Sequence, residues 1–423
     1  MRKILIVLLF ITQLSCAQES YEADYLFTNV SVLTMKDDNV LLNKNILVKE
    51  GKIKEISNTN SNLIKTKYRI DLEGKYIMPS LSDAHVHLPK NEDELEKFLT
   101  LNLINGITKL RSMRGDWNHL EWRNKYNTEI SIYPKLYLSA PPISKKYDFN
   151  SEKLKRYIDR AKEFHFIKIL SIKNETLFKE LNSFCKLNSI QIGGHFPNNI
   201  SDDQLFKSNY TSFEHLGGLT EELELLENRL HEIKKNNIFI CPTLSWYSVG
   251  SGRYSYEELL NQDGMQFVSK AIVNDWIEKT KQYREKLGTK AYKEEVENEL
   301  KKLDEKYQII QRLNKLGINM LLSPDSSSKY MVTGFGIVGE MELLKNADLS
   351  NFDIFKMTTV NFASFFNENY GTIEEGKDAD FIILNSNPLE NLDTLKAIEG
   401  VFFNKNYLNK DALIKLSEAI LPY

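Results

Sequence analysis

Cysteine is scarce in this chain of 423 residues: there are three. Cys16 stands in an N-terminal segment expected to be processed, which leaves Cys185 and Cys241, too few for a disulfide framework. Buried free thiols are the expectation for both. An excess of basic charge is also missing. Lys and Arg number 55 against 58 Asp and Glu, a net charge of −3, so the polybasic footprint of a nucleic-acid binder is excluded. Past residue 11 no apolar run approaches the length of a membrane-spanning helix, and none is expected in the mature chain. Histidine is sparse too, at seven residues, so each position carries information.

What is present is an ordinary globular balance, 42% hydrophobic and 27% charged, in a chain long enough for one large domain and a smaller one. The start, Met1-Arg2-Lys3, an apolar run over 4–11 and then Ser15-Cys16-Ala17, reads as a secretory signal peptide over 1–17. An exported protein, periplasmic or secreted, is expected. Ser15-Cys16-Ala17 suits cleavage after Ala17. Leu14-Ser15-Cys16 also resembles a relaxed lipoprotein box with a lipid anchor at Cys16, but Gln13 replaces the usual large apolar residue and favours soluble export.

Residues 22–75 alternate short β-rich runs with turns, the period of a small sandwich. A similar texture returns over 369–410, so the two ends are expected to pair into one β-domain around a central body at 76–368. That body has eight strand candidates, at 76–88, 107–113, 135–139, 166–170, 191–195, 212–216, 238–244 and 319–325. Amphipathic helical runs at 91–104, 151–164, 175–187 and 221–235 fall between them. Eight strands alternating with helices predict an α/β fold, a distorted (β/α)8 barrel of the TIM type with a composite β-sandwich. The connection 245–316 is unusually long. Its Lys- and Glu-rich part from 268 to 313 reads as solvated helix that could fold over the site as a lid.

Candidate chemistry sits at the strand ends. His85 and His87 are two apart on an apolar strand and so share a face, which in a barrel is the interior at the end where sites form. A lone buried histidine is usually a packing residue; a pair beside Asp83 points to metal. His195 and His215 each end a separate strand candidate, whereas His119, His165 and His231 read as surface or packing residues. Asp325 follows the apolar run 321–324, a place where a helix cap is common. Opposite four strand-end histidines it becomes a candidate metal ligand and proton shuttle. Lys168, inside Phe166-Ile167-Lys168-Ile169-Leu170, is costly to bury as a cation. It either snorkels to water or, as a neutral amine, takes up CO2 to give a carbamate able to bridge two cations.

These residues resemble the amidohydrolase superfamily, and within it the imidazolonepropionase-like and prolidase-like branch. The resemblance is carried by Gly74-Lys75-Tyr76-Ile77-Met78-Pro79 leading into Asp83-Ala84-His85-Val86-His87, by Asn105-Gly106-Ile107-Thr108 and by Cys241-Pro242-Thr243-Leu244. It continues in Gly371-Thr372-Ile373-Glu374-Glu375-Gly376-Lys377-Asp378-Ala379-Asp380 and Asn387-Pro388-Leu389, and covers roughly residues 22–410. It implies ligand roles for His85, His87, Lys168, His195, His215 and Asp325. The implied site holds two divalent metals, zinc first, with Mn, Fe or Co as alternatives. His85, His87 and Asp325 would hold one, His195 and His215 the other, and carbamylated Lys168 would bridge them. The implied activity is metal-dependent hydrolysis of a carbon–nitrogen bond in a small amide, such as a dipeptide of the Xaa-Pro type or an N-acyl amino acid. Departures stand at Ser80, Ser82, Ser112 and Ser323. Two rival readings are a one-metal cyclic-amide hydrolase or deaminase with a structural Lys168, and an exported binding protein without turnover.

Overall fold

The computed structural model describes residues 23–58, 64–147 and 149–422. The expected signal peptide, 1–17, and Cys16 with it lie outside the described residues. Among the described residues no helix is long and apolar enough to cross a membrane. Cys185 and Cys241 are buried and free.

The N-terminal runs form β1 (Ala23–Leu33), β2 (Val40–Lys49), β3 (Lys52–Ser57), β4 (Thr66–Asp71) and β5 (Tyr76–Pro79). Next come seven strands separated by helices: β6 (Leu81–Val86), β7 (Ile107–Ser112), β8 (Lys135–Ile143), β9 (Phe166–Ile169), β10 (Gln191–His195), β11 (Tyr210–Glu214) and β12 (Phe239–Cys241). The chain ends with β13 (Phe381–Leu384), β14 (Gly400–Phe403), β15 (Asn406–Asn409) and a last helix. The first and last groups share one sheet, in the order β15-β14-β13-β5-β1-β2-β3 with β4 beside β1. The middle group forms a parallel sheet in the order β12-β11-β10-β9-β8-β7-β6.

Two strand boundaries differ from the sequence reading. The expected strand at 76–88 divides at Ser80: β5 pairs with β13 in the first sheet and β6 pairs with β7 in the barrel. The expected eighth strand is an extended segment that closes the ring with few bonds. Leu321 N donates to Ile240 O at 2.8 Å and Ala84 N to Leu322 O at 3.0 Å, and His87 N reaches Ser326 O at 2.8 Å. Pro324 lacks an N–H, and Asp325 takes a left-handed φ of 66°, so a regular ladder cannot continue there.

Local sequence explains the helix starts. Asn91, Asn150 and Asn174 each cap a helix by accepting a backbone N–H with the side chain, which satisfies a donor the helix cannot. Helix Glu92–Ile104 then stops at Asn105 and Gly106, where φ is 73° and a Cβ would lie 2.8 Å from Ile382. Only glycine meets both demands. Apolar faces of these helices close over the barrel in one large core, and a second core fills the β-rich sheet.

A buried polar cluster ties the two sheets together. Lys109 of β7 pairs with the Asp380 carboxylate. Asp380 also accepts from Thr108 Oγ1 at 3.0 Å and from the Ser80 hydroxyl. Ser80, a departure from the family pattern, therefore has a partner in the fold. The connection 245–316 also differs from the solvated helix expected. It ends in helix Thr289–Lys315, whose last turns bury Leu303, Ile309, Ile310 and Leu313. One face of that part is buried in the large core, while helix Lys270–Leu287 before it has no buried residue.

Candidate metal centre

Each barrel strand points its C-terminal end at one mouth, and there the six expected residues meet. His85, His87, Lys168, His195, His215 and Asp325 line one cleft of about 550 Å³. His85 lies inside β6, His87 just past it, Lys168 in β9 and His195 at the end of β10; His215 follows β11 and Asp325 sits in the closing segment. A register shift between Asp83 and Val86 interrupts β6 just before His87, the kind of irregularity that re-aims side chains beside sites. His119, His165 and His231 do not line the cleft. His119 stacks on Trp122, and His165 accepts from Leu138 N at 2.9 Å.

Beneath the mouth is a buried ion pair that sequence reasoning missed. Arg111 Nη1 donates to Glu214 Oε1 at 2.8 Å and Nη2 to Ser212 Oγ at 2.6 Å. The guanidinium lies 4.6 Å and 4.9 Å from the ring centroids of Phe166 and Phe365. Gly193 gives it room, because a Cβ there would stand 2.9 Å from Arg111 Nη2 and 2.6 Å from Ser212 Oγ. The second Glu214 oxygen meets His85 Nδ1 at 2.8 Å. A carboxylate that accepts from Arg111 remains an acceptor, so His85 carries its proton on Nδ1 and keeps a lone pair on Nε2.

His215 is set in the same way. Its Nδ1 is 2.6 Å from Thr243 Oγ1, whose own proton goes to Pro242 O at 2.8 Å. Thr243 therefore accepts, Nδ1 is protonated, and Nε2 is left as a donor to metal. This gives the Cys241-Pro242-Thr243 run a function at the site. His215, Thr243 and Asp325 all take left-handed backbone, with φ of 65°, 52° and 66°. Such values are uncommon for non-glycine residues, and held strain of this kind gathers at functional sites. Ser323 serves two neighbours: its hydroxyl donates to His85 O and accepts from Asp325 N, each at 3.0 Å.

Asp325 Oδ1 lies 3.5 Å from His87 Nε2 and 3.7 Å from His85 Nε2. His85, His87 and Asp325 form a group of donor atoms all within 4.8 Å of one another. His87 Nε2 is buried without a hydrogen-bond partner. His215 rings approach those of His85 and His195, at 5.1 Å and 5.0 Å between centroids. Burial, aided by the Lys168 charge, holds His85 well below the usual imidazole range and His87 at about 3. Arg114 adds to the effect on His87. Burial also takes His195 to about 4 and His215 to about 3. Four neutral imidazoles and a carboxylate lining one cleft, with His85 and His87 near the carboxylate, are a donor set that suits divalent zinc, manganese, iron or cobalt. A second grouping, His85 with Glu214 and Cys241, does not fit metal. Glu214 is already occupied by Arg111, and burial keeps the Cys241 thiol protonated.

Lys168 is almost wholly buried, and burial lowers its pKa to about 8 against the opposing charges of Glu214 and Asp325. Its Nζ meets His85 Nε2 at 3.0 Å. Asp325 is pushed up to about 7 by burial, with Lys168 pulling the other way. The roof differs from the expected lid. Helix Leu244–Gly250 supplies Trp246 and Tyr247 to the cleft, and the buried Glu340 carboxylate anchors that helix by accepting from Leu244 N and Ser245 N at 2.7 Å and 2.6 Å. Helices Lys270–Leu287 and Thr289–Lys315 border a separate cavity of about 570 Å³, which shares Trp246.

A parallel barrel with histidines at its mouth, joined to a sheet made from both chain ends, is the fold expected from the sequence. The amidohydrolase family model matches residues 252–409, in agreement with the resemblance read from the sequence over that stretch. No curated protein matches the chain in sequence. A bottromycin amidohydrolase has the same fold at a TM-score of 0.74 and 18% identity, over 94% of this chain and 89% of that one. A Xaa-Pro dipeptidase with methionine bound in its active site aligns at 0.66 and 14%, over 91% and 99%. A prolidase complexed with N-methylphosphonate-L-proline aligns at 0.64 and 16%, again over 91% and 99%. At these identities the likeness establishes the fold.

Proposed function

We propose that this chain is a metal-dependent hydrolase of carbon–nitrogen bonds in small amides, acting on dipeptides or N-acyl amino acids. One observation carries the reading: His87 Nε2, buried and without a partner, stands 3.5 Å from the Asp325 carboxylate in a ring of neutral imidazoles. Orphaned buried donors of this kind call for a ligand. His85, His87 and Asp325 would hold one divalent cation and His195 and His215 a second. Lys168 would join the two as a carbamate, formed when its neutral amine attacks CO2 and releases a proton. Divalent cations bound there polarise an amide carbonyl and make water acidic enough to act as nucleophile near neutral pH.

The chain's own groups do the rest. Asp325 takes the proton of the attacking water and returns it to the leaving amine. Glu214 and Thr243 hold the His85 and His215 rings in the tautomer that keeps Nε2 free. Trp246 and Tyr247 cover the cleft from one side. The structural neighbours support the choice of substrate, since a dipeptidase and a prolidase are among them.

A one-metal reading draws on a different observation: His85, His87 and Asp325 form a compact group by themselves, and Lys168 bonds to His85. The test is a hydrolysis screen of dipeptides, N-acyl amino acids and lactones on metal-loaded protein, with metal content measured alongside. Two ions per chain, and activity on amides that rises with bicarbonate, are expected. One tight ion with no bicarbonate response would replace the bridged site with a cyclic-amide hydrolase or deaminase, in which Lys168 is structural.

A further inference from the structure

We propose that Arg114 and Glu221 are opposite charged poles of the substrate cleft, binding the free carboxylate and the free ammonium of a dipeptide. This rests on the amide-hydrolase reading and goes further, because it separates dipeptides from N-acyl amino acids, which have no ammonium.

Both residues line the same cleft as the histidines. Arg114 lies two residues past β7 and Glu221 on the loop after β11. With 319–326 closing the ring as an eighth staff, β7 and β11 are its second and sixth members and stand across the mouth from each other. The sequence pattern placed Glu221 at the head of a helix, but the helical turns begin at Leu223, which leaves Glu221 free to face the cleft. The candidate donors line the same cleft as the two poles.

The charge state of each pole argues for a ligand. Arg114 is exposed and has no ion pair or hydrogen bond to any other described residue. A guanidinium beside a site that collects cations is repelled by them, and an anionic group in the cleft offsets that repulsion. Glu221 is steered by Asn198 Nδ2 at 2.5 Å. Asn198 is neutral, so it orients the carboxylate without cancelling its charge. Phe196, Leu170 and Met113 supply apolar lining to the same cleft, suited to peptide side chains. Hydrolysis then breaks the peptide C–N bond, water giving OH to the carbonyl carbon and a proton to the amine. One product stays held at Glu221 by its ammonium, the other at Arg114 by its carboxylate.

The test uses metal-loaded full-length chain and one dipeptide that it cleaves, prepared in four forms: free, C-amidated, N-acetylated and doubly blocked. For the unsubstituted protein, each block should lower kcat/KM by about tenfold or more, chiefly through KM, as expected for loss of a charged hydrogen bond. Arg114→Ala should erase the difference between free and C-amidated forms and keep the penalty for N-acetylation. Glu221→Gln should do the reverse. Thermal midpoints of both variants should stay near that of the unsubstituted chain, since both side chains are exposed. Equal cleavage of all four forms by the unsubstituted chain would overturn the poles while leaving the hydrolase reading intact, as would variants that lose activity equally on every form. Failure to find any dipeptide or other amide that the metal-loaded chain cleaves would defeat the underlying reading and this one with it.

Discussion

Two buried lysines inside the barrel make an instructive pair. Lys109 on β7 and Lys168 on β9 each interrupt an apolar strand, and both side chains are buried. Lys109 has a fixed counter-charge in Asp380, donates to Thr108 Oγ1 at 3.1 Å and lies 3.8 Å from the Tyr370 ring centroid. Among the described residues Lys168 has no carboxylate at ion-pair distance and meets only the imidazole of His85. Between them Arg111 is matched by Glu214. Compensation therefore declines toward the mouth. A buried charge with a full set of partners fastens two sheets, whereas one left with a neutral imidazole is free to lose its proton and react.

The comparison can be broken at several points. Asp325→Asn keeps the shape of the side chain but removes the proton acceptor, so turnover should fall by roughly 10²–10⁴ with little change in thermal midpoint. Steady-state kinetics beside a melt would show it, and substantial residual turnover would remove Asp325 as proton shuttle. Next come the lysines, which should fail in opposite ways. Lys109→Ala strands Asp380 in the interior and should cost about 3–5 kcal/mol in denaturant unfolding, while the folded fraction keeps its metals and kcat. Lys168→Ala should leave stability near that of the unsubstituted chain and lower both metal content and activity. Full retention of both metals and activity would make Lys168 merely structural.

Glu214→Gln sharpens the middle layer. Losing the acceptor that fixes the His85 tautomer should weaken metal affinity by about 10–100-fold, read by competition with a chelating dye. Smallest of all, Gly193→Ala pushes a methyl toward Arg111 Nη2 and Ser212 Oγ and should destabilise by about 1–3 kcal/mol, with metal affinity lowered only as far as Glu214 shifts.

Much of this is legible in the sequence. His85, His87, His195, His215, Lys168 and Asp325 stand out because polar groups at the ends of, or inside, apolar runs break a pattern that is otherwise easy to read. Arg111 and Glu214 carried the same kind of signal, a charge within an apolar strand, but each alone looks like a strand-edge residue. Their partnership spans 103 positions and becomes visible only once β7 and β11 face each other. Thr243, Ser323 and Glu340 act through hydrogen bonds to His215, His85 and the start of helix Leu244–Gly250, remote partners that no local pattern names. The helix expected at 221–235 begins at Leu223, which leaves Glu221 outside it, and the last turns of 245–316 bury one face in the core because amphipathic spacing does not say which face meets another element.

The sequence by itself determined the alternation of strands and helices, the sheet made from both ends and the set of candidate donors, because side-chain periodicity and capping act over a few residues. Tertiary structure alone decided which buried lysine is neutralised and which is not, which ring nitrogen of His85 and His215 carries the proton, and which exposed charges look into the cleft. Those outcomes depend on distances between residues remote in the chain, and burial, which sets the energy of every charge here, does not exist until the barrel closes.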